Sequence, residues 1–172
     1  EAGGRASGGG GRKGGGPAEG GGVVVVGGQG LKGAWKALGR RTVSQDPQLG
    51  TGHAMQLEMA ANEGEDVPVL VVSADMPLLT TALLGSIVDT QIADSAALAM
   101  LTAHVPLPTN FGRIVREGER VMRIVENVDC TPDQRLIDEV NAAVHCFESR
   151  ALRRHLARLN PNNAQGELYL TD

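Results

Sequence analysis

From Val23 onward, short aliphatic runs alternate with stretches whose apolar positions recur every three or four residues, and no other feature restricts the fold of the chain as strongly. Runs too short for a helix read as strands and the intervening periods as helices, so the pattern predicts an α/β layer architecture. Val23 to Val26 reads as a buried strand. Gly27-Gly28-Gln29-Gly30 then turns the chain into a short helix over Leu31 to Leu38, and Arg41 to Ser44 reads as a second strand. Gly50-Thr51-Gly52-His53 opens a helix to about Ala61, with Thr51 placed to cap it and Met55 and Met59 on one face. Val67 to Val72 is the strongest strand, and its unbroken apolar character predicts a central parallel strand buried on both faces. A helix over Thr80 to Thr90 and a strand over Ala96 to Thr102 follow. Ile114-Val115 and Val121 to Val125, separated by Arg116-Glu117-Gly118-Glu119, read as a hairpin with a glycine turn. Glu139 to Phe147 is a further strand, Ser149 to Leu159 an amphipathic helix, and Gln165 to Leu170 a last helical turn.

The first 22 residues obey different rules. Of the chain's 24 glycines, 12 lie between Glu1 and Gly22, and that stretch holds no Val, Leu, Ile, Met or aromatic residue. Ordering it would cost backbone entropy that no apolar burial offsets, so residues 1–22 read as a flexible tail and 23–172 as one domain. Arg12 and Lys13 lie among these glycines without the flanking strand and helix that a phosphate-cradling loop requires.

Charge and composition exclude several functions. Sixteen Lys and Arg against 20 Asp and Glu leave a net charge of −4, unlike a dedicated nucleic-acid binder. The only aromatic residues, Trp35, Phe111, Phe147 and Tyr169, are too few for base-stacking platforms. No apolar run approaches the roughly 20 residues of a membrane span. Cys130 and Cys146 make no disulfide framework, and there is no secretory signal pattern, so a cytoplasmic protein is expected.

Asp75 carries the sharpest chemical signal, because Ser73-Ala74-Asp75-Met76-Pro77 places a carboxylate where a strand ends and a turn begins. In open α/β sheets the ends of strands line the ligand crevice. A carboxylate there suits a divalent cation shared with substrate phosphates, and it equally suits a helix or turn cap. Gln45 and Thr51 flank a Pro-Gln-Leu-Gly bend, where an amide could meet a base edge or simply hold the turn. Glu126 follows a strand and Asn141 lies within one. Both could bond sugar hydroxyls, and both are compatible with ordinary structural roles.

Six collinear segments resemble one family. Gln45-Asp46-Pro47-Gln48-Leu49-Gly50-Thr51-Gly52-His53-Ala54, Ser73-Ala74-Asp75-Met76-Pro77-Leu78, Phe111-Gly112-Arg113-Ile114, Ile124-Val125-Glu126, Glu139-Val140-Asn141 and the run from Asn162 to Asp172 resemble the bacterial N-acetylglucosamine-1-phosphate uridyltransferases. The resemblance implies a Rossmann-like nucleotidyltransferase fold, an α/β three-layer arrangement about a mostly parallel sheet. It further implies uridylyl transfer from UTP to N-acetylglucosamine 1-phosphate, giving UDP-N-acetylglucosamine and pyrophosphate for peptidoglycan and cell-wall synthesis. Carried over position by position, Gln45, Gly50 and Thr51 match the uracil-binding segment, and Asp75 matches the magnesium-binding aspartate, which makes Mg²⁺ the expected cofactor. Ser73 and Ala74 line the nucleotide-sugar site, while Gly112, Glu126 and Asn141 match residues contacting the sugar.

Departures from the family accompany these matches. Its first strand, L-A-A-G-x-G-T-R-M phosphate loop and Pro-Lys pair are missing from Glu1 to Gly22, so the chain reads as a fragment, weak or inactive alone. A usual Tyr-Gly before the aspartate reads Ser73-Ala74, and a usual Thr-Gly after the asparagine reads Ala142-Ala143. Two other readings therefore stand beside the uridyltransferase. One is a nucleotidyltransferase of the same fold for a different sugar or base, and the other a noncatalytic nucleotide-sugar-binding remnant.

Overall fold

The strand expected as buried over Val23 to Val26 begins one residue later and is half-buried, with Val23 exposed. β1 (Val24–Gly27) lies parallel to β2 (Arg41–Ser44), with Val24 opposite Arg41 and Gly27 opposite Ser44. This computed structural model describes residues 22–28, 41–61 and 66–172. The expected tail to Gly21 and the helix over Leu31 to Leu38 lie outside the described residues.

A larger five-stranded sheet is organised by a single long strand. Its members are β3 (Val69–Val72), β4 (Leu98–His104), β5 (Arg113–Glu117), β6 (Arg120–Val125) and β7 (Glu139–Phe147). β4 runs along one edge of β7, from His104 opposite Glu139 to Leu98 opposite Phe147. The other edge is shared: β3 covers Val144 to Phe147, and β5 meets β7 at Val140. β6 then pairs with β5 through the expected hairpin, whose Gly118 takes φ +58°.

All these pairs are antiparallel. The expectation of a mostly parallel sheet is therefore met among the described strand pairs by β1 and β2 alone. Val67 to Val72 is likewise corrected: β3 is shorter, only half-buried where it is not exposed, and antiparallel to its partner. β3 and β4 do run in the same direction, but β7 stands between them. An apolar run reports burial, and it carries no information about which strand becomes the direct neighbour.

Helices cover both faces, as a three-layer fold requires. α1 (Thr51–Ala61) and α3 (Ser149–Leu156) pack on one face, where Met55, Met59, Phe147, Leu152 and Leu156 form the buried core. α2 (Thr81–Ala93) covers the other face over Ile87, Val144 and Cys146. Thr80 caps α2 by accepting from Leu83 N at 3.2 Å, and Glu148 caps α3 by accepting from Arg150 and Ala151. α3 stops three residues before the expected Leu159. Arg153 donates to Met59 O at 2.6 Å and ties α3 to the last turn of α1.

The hairpin is fastened to β7 by a two-pronged ion pair. Arg116 Nε and Nη2 donate to Glu139 Oε2 and Oε1 at 2.6 and 2.8 Å, which is the planar fork geometry that arginine offers a carboxylate. The Arg116 bond, aided by Thr102, holds the Glu139 carboxyl down at about 2 against the opposing effect of burial. A carboxylate lowered on folding contributes stability that is complete above its unfolded pKa and lost as pH falls through the folded one. We therefore expect urea unfolding midpoints to fall between about pH 5 and about pH 2, and Glu139→Gln to lower the midpoint at neutral pH while flattening that dependence.

Candidate functional site

The candidate site centres on the divided edge of β7. β3 leaves β7 after Val72, opposite Val144, and β5 arrives at Arg113, opposite Val140. Asn141, Ala142 and Ala143 lie between these contacts, so a short length of this edge carries no strand partner where one strand ends and another begins. Gly112 O closes its lower side by accepting from Asn141 N at 2.8 Å. Ala143 has φ +54°, a left-handed conformation that costs a residue with a Cβ about 1–2 kcal/mol. Its N–H is satisfied by Asn141 Oδ1 at 3.0 Å, and the same oxygen accepts from His145 Nε2 at 3.0 Å. Asn141 and His145 are both buried, and burial pushes the imidazole pKa below its ordinary value.

Ser73, Ala74 and Asp75 form the exposed turn that follows β3, beyond its last pair with β7 at Val72 and Val144. Met76 anchors the turn in the core under α2. The helix-cap alternative for Asp75 is settled by Thr80, which caps α2 itself. Among the described residues no group of three or more His, Cys, Asp or Glu side chains forms a ready-made metal cage.

Gly112 and Glu126 meet directly. A Cβ on Gly112 would stand 3.2 Å from Glu126 Oε2 and from Ile124 Cγ2, so the carboxylate packs on a bare backbone. Thr171 Oγ1 donates to Glu126 Oε1 at 2.9 Å. A cleft of 420 Å³ opens beside this pair, with Arg123, Asp129, Asn163 and Asp172 among its walls. Beneath it Arg113 is almost fully buried. Its guanidinium donates to Phe111 O, to Thr109 O at 2.8 Å and to Asn127 Oδ1 at 3.3 Å, fixing the loops on either side of Gly112 and Glu126.

Gln45, Gly50 and Thr51 form a second cluster. Gln45 N donates to Gly27 O at 2.9 Å, and its side-chain Nε2 donates to Gly50 O at 2.8 Å and lies 3.2 Å from His53 Nδ1. Gly50 has φ +106°, and a Cβ there would come within 2.5 Å of Leu168 O. Thr51 does not cap α1 as expected. Gly50 O accepts the first helical bond, from Ala54 N, while Thr51 Oγ1 accepts from Leu170 N at 3.0 Å. The segment expected as a helical turn over Gln165 to Leu170 is mostly irregular and reaches back across the chain, with Leu168 N on Leu49 O at 2.8 Å and Gly52 N on Leu168 O at 2.7 Å.

Two groups of candidate residues are thus each brought together, Gln45 with Gly50 and Thr51, and Gly112 with Glu126 and Asn141. Residues 168–171 join them, because Leu170 bonds Thr51 and the next residue, Thr171, bonds Glu126. Residue type alone does not mark Thr171, Arg113 or His145 as functional. Arg113 and Thr171 lie inside motifs that carry the resemblance, whereas only the fold places His145 beside Asn141.

No protein-family model matches the chain. It is 45% identical to the bifunctional protein GlmU of Trichlorobacter lovleyi over 135 residues, which are 78% of this chain and 29% of that protein. It is 50% identical to the bifunctional protein GlmU of Mycolicibacterium gilvum over 138 residues, 77% of this chain and 28% of that protein. The chain therefore spans under a third of the curated relatives it matches, and over the aligned share the resemblance carried by the motifs is borne out. A crystal structure of UDP-glucose pyrophosphorylase complexed with UDP-glucose superposes with a TM-score of 0.57 at 17% identity, covering 83% of this chain and 56% of that one. The fold is accordingly that of the sugar nucleotidyltransferases.

Two substitutions test the backbone of the site. Ala143→Gly relieves a left-handed alanine, and we expect it to raise unfolding free energy by about 0.5–1 kcal/mol once the greater freedom of unfolded glycine is set against the relief. Gly50→Ala brings a Cβ onto Leu168 O and should cost upwards of about 2 kcal/mol. Urea denaturation measures both, and an unchanged Gly50→Ala midpoint would contradict the contact between residues 50 and 168.

Proposed function

We propose that this chain carries the uridylyl-transfer side of a sugar nucleotidyltransferase, acting on UTP and N-acetylglucosamine 1-phosphate to give UDP-N-acetylglucosamine and pyrophosphate. The observation that carries the reading is that Gly112 brings two candidate residues together, packing against the Glu126 carboxylate and accepting from Asn141 N. Relatives at 45% and 50% identity support the same family of reactions, and cell-wall precursor synthesis in the cytoplasm is the setting it implies.

In this reading a phosphate oxygen of the sugar phosphate attacks the α-phosphorus of UTP in line with the departing pyrophosphate. One P–O bond forms as another breaks, and no protein nucleophile is needed, so the residues act by positioning and by electrostatics. Gln45 already commits Nε2 to Gly50 and His53, so its contact with uracil is through Oε1, which can accept the base N3–H. The start of α1 at Gly50 and Thr51 lies against that base. Glu126, held by Thr171, accepts from sugar hydroxyls, and Asn141 donates to the sugar from its amide nitrogen. Ser73 and Ala74 border the nucleotide sugar.

One exposed carboxylate on an open turn suits Mg²⁺, which commonly takes one or two protein carboxylates and completes its shell with water and substrate phosphates. Asp75 would hold the ion, which when bound neutralises charge on the phosphate oxygens.

The departures at Ser73-Ala74 and Ala142-Ala143 favour a second reading, a nucleotidyltransferase of the same fold with another sugar. Calorimetric titration of UDP-N-acetylglucosamine and UDP-glucose, with and without Mg²⁺, separates the two. We expect saturable binding of the N-acetylated sugar, strengthened by Mg²⁺ and weakened about tenfold or more by Asp75→Ala. Preference for UDP-glucose would support the second reading, and no binding by a folded chain would refute both.

A further inference from the structure

The orientation of Asn141 is fixed by chemistry. A backbone N–H can only donate, so Ala143 N at 3.0 Å identifies its side-chain partner as the carbonyl oxygen of the amide. The imidazole nitrogen facing that same oxygen, His145 Nε2 at 3.0 Å, must then carry its hydrogen. His145 is 5% exposed and stands between Val71 and Met100 of the flanking strands, with the Phe147 ring centroid 5.8 Å away. These neighbours are apolar, so Asn141 is the polar partner that the ring meets among them.

We propose that His145 is a positioning residue which, through this bond, locks the Asn141 amide with its NH2 toward the open edge of β7, so that the crevice selects a sugar presenting a hydrogen-bond acceptor there. An acetamido carbonyl is such an acceptor. With Oδ1 holding two internal donors, rotating the amide would set NH2 against the N–H of Ala143 and would force His145 to move its hydrogen to Nδ1, away from its partner among apolar neighbours. Ala143 alone restrains the amide with one bond, and His145 supplies the second. The selection of a sugar rests on the reading of the crevice in the preceding subsection, whereas the tautomer does not.

The experiment combines a ligand-free and a ligand-bound arm on the full chain. Nitrogen-15 spectra of the imidazole should report a neutral Nε2–H tautomer for His145. Dissociation constants are then measured for UDP and for UDP-N-acetylglucosamine with His145→Leu, with His145→Gln, whose amide nitrogen reaches as far as Nε2, and with Asn141→Ala. We expect His145→Leu to weaken the nucleotide sugar about tenfold while leaving UDP within about twofold, and His145→Gln to recover most of that loss. Adding His145→Leu to Asn141→Ala should cost nothing further, because the two act through one contact. An Nδ1–H tautomer overturns the proposal whatever binds. Equal losses for UDP and the nucleotide sugar, or a His145→Gln as weak as His145→Leu, also overturn it by marking a general structural role. A wild-type chain that binds neither ligand defeats the reading of the crevice, and sugar selection falls with it even where the tautomer is as expected.

Discussion

β7 is the strand on which the larger sheet depends. Three other strands hydrogen-bond to it directly, and its side chains supply both layers of core, Phe147 beneath α1 and α3, and Val144 and Cys146 beneath α2. Because β3 and β5 divide one of its edges without meeting, the same strand that builds the core also leaves a polar gap. Stability and the crevice are therefore properties of one nine-residue stretch, Glu139–Phe147. Its ends are secured differently: the Arg116 ion pair at Glu139, and apolar packing at Phe147.

A second dependence runs through the last residues of the chain. Residues 168–171 touch Leu49, Gly52, Thr51 and Glu126 in quick succession, so the two halves of the candidate site share a splint. The glycines of the Leu49-to-His53 turn have an explanation independent of any ligand. Gly50 and Gly52 leave room for the Leu168 backbone, and a Cβ at either would collide with it. Part of the motif that signals a nucleotide site is thus there to let two pieces of backbone approach.

What the sequence made legible follows from which forces are local. The hairpin over Arg113 to Val125, the start of α2 at Thr80 and the bounds of β7 were readable because turn glycines, caps and aliphatic runs act within a few residues. Pairing direction was not readable, since an apolar run in β3 looks alike beside a parallel or an antiparallel neighbour. Thr51 has the chemistry of a cap, and its hydroxyl was taken by Leu170, 119 residues away. Residues 165–170 read as a helical turn for the reciprocal reason: the partners of Leu168 and Leu170 lie in Leu49 to Gly52. His145 could not be found by motif, because its significance lies entirely in the strand register that sets it beside Asn141. In each case the decisive contact was distant in sequence.

The cleft beside Gly112 also has a polarity. Glu126, Asp129 and Asp172 line it together with Arg123, giving its lining an excess of negative charge. Such a wall repels phosphate and welcomes hydroxyl donors. Any ligand carrying both hydroxyls and a phosphate would be turned by such a field, its hydroxyls toward the carboxylates and its anionic end away from them, before any specific hydrogen bond forms.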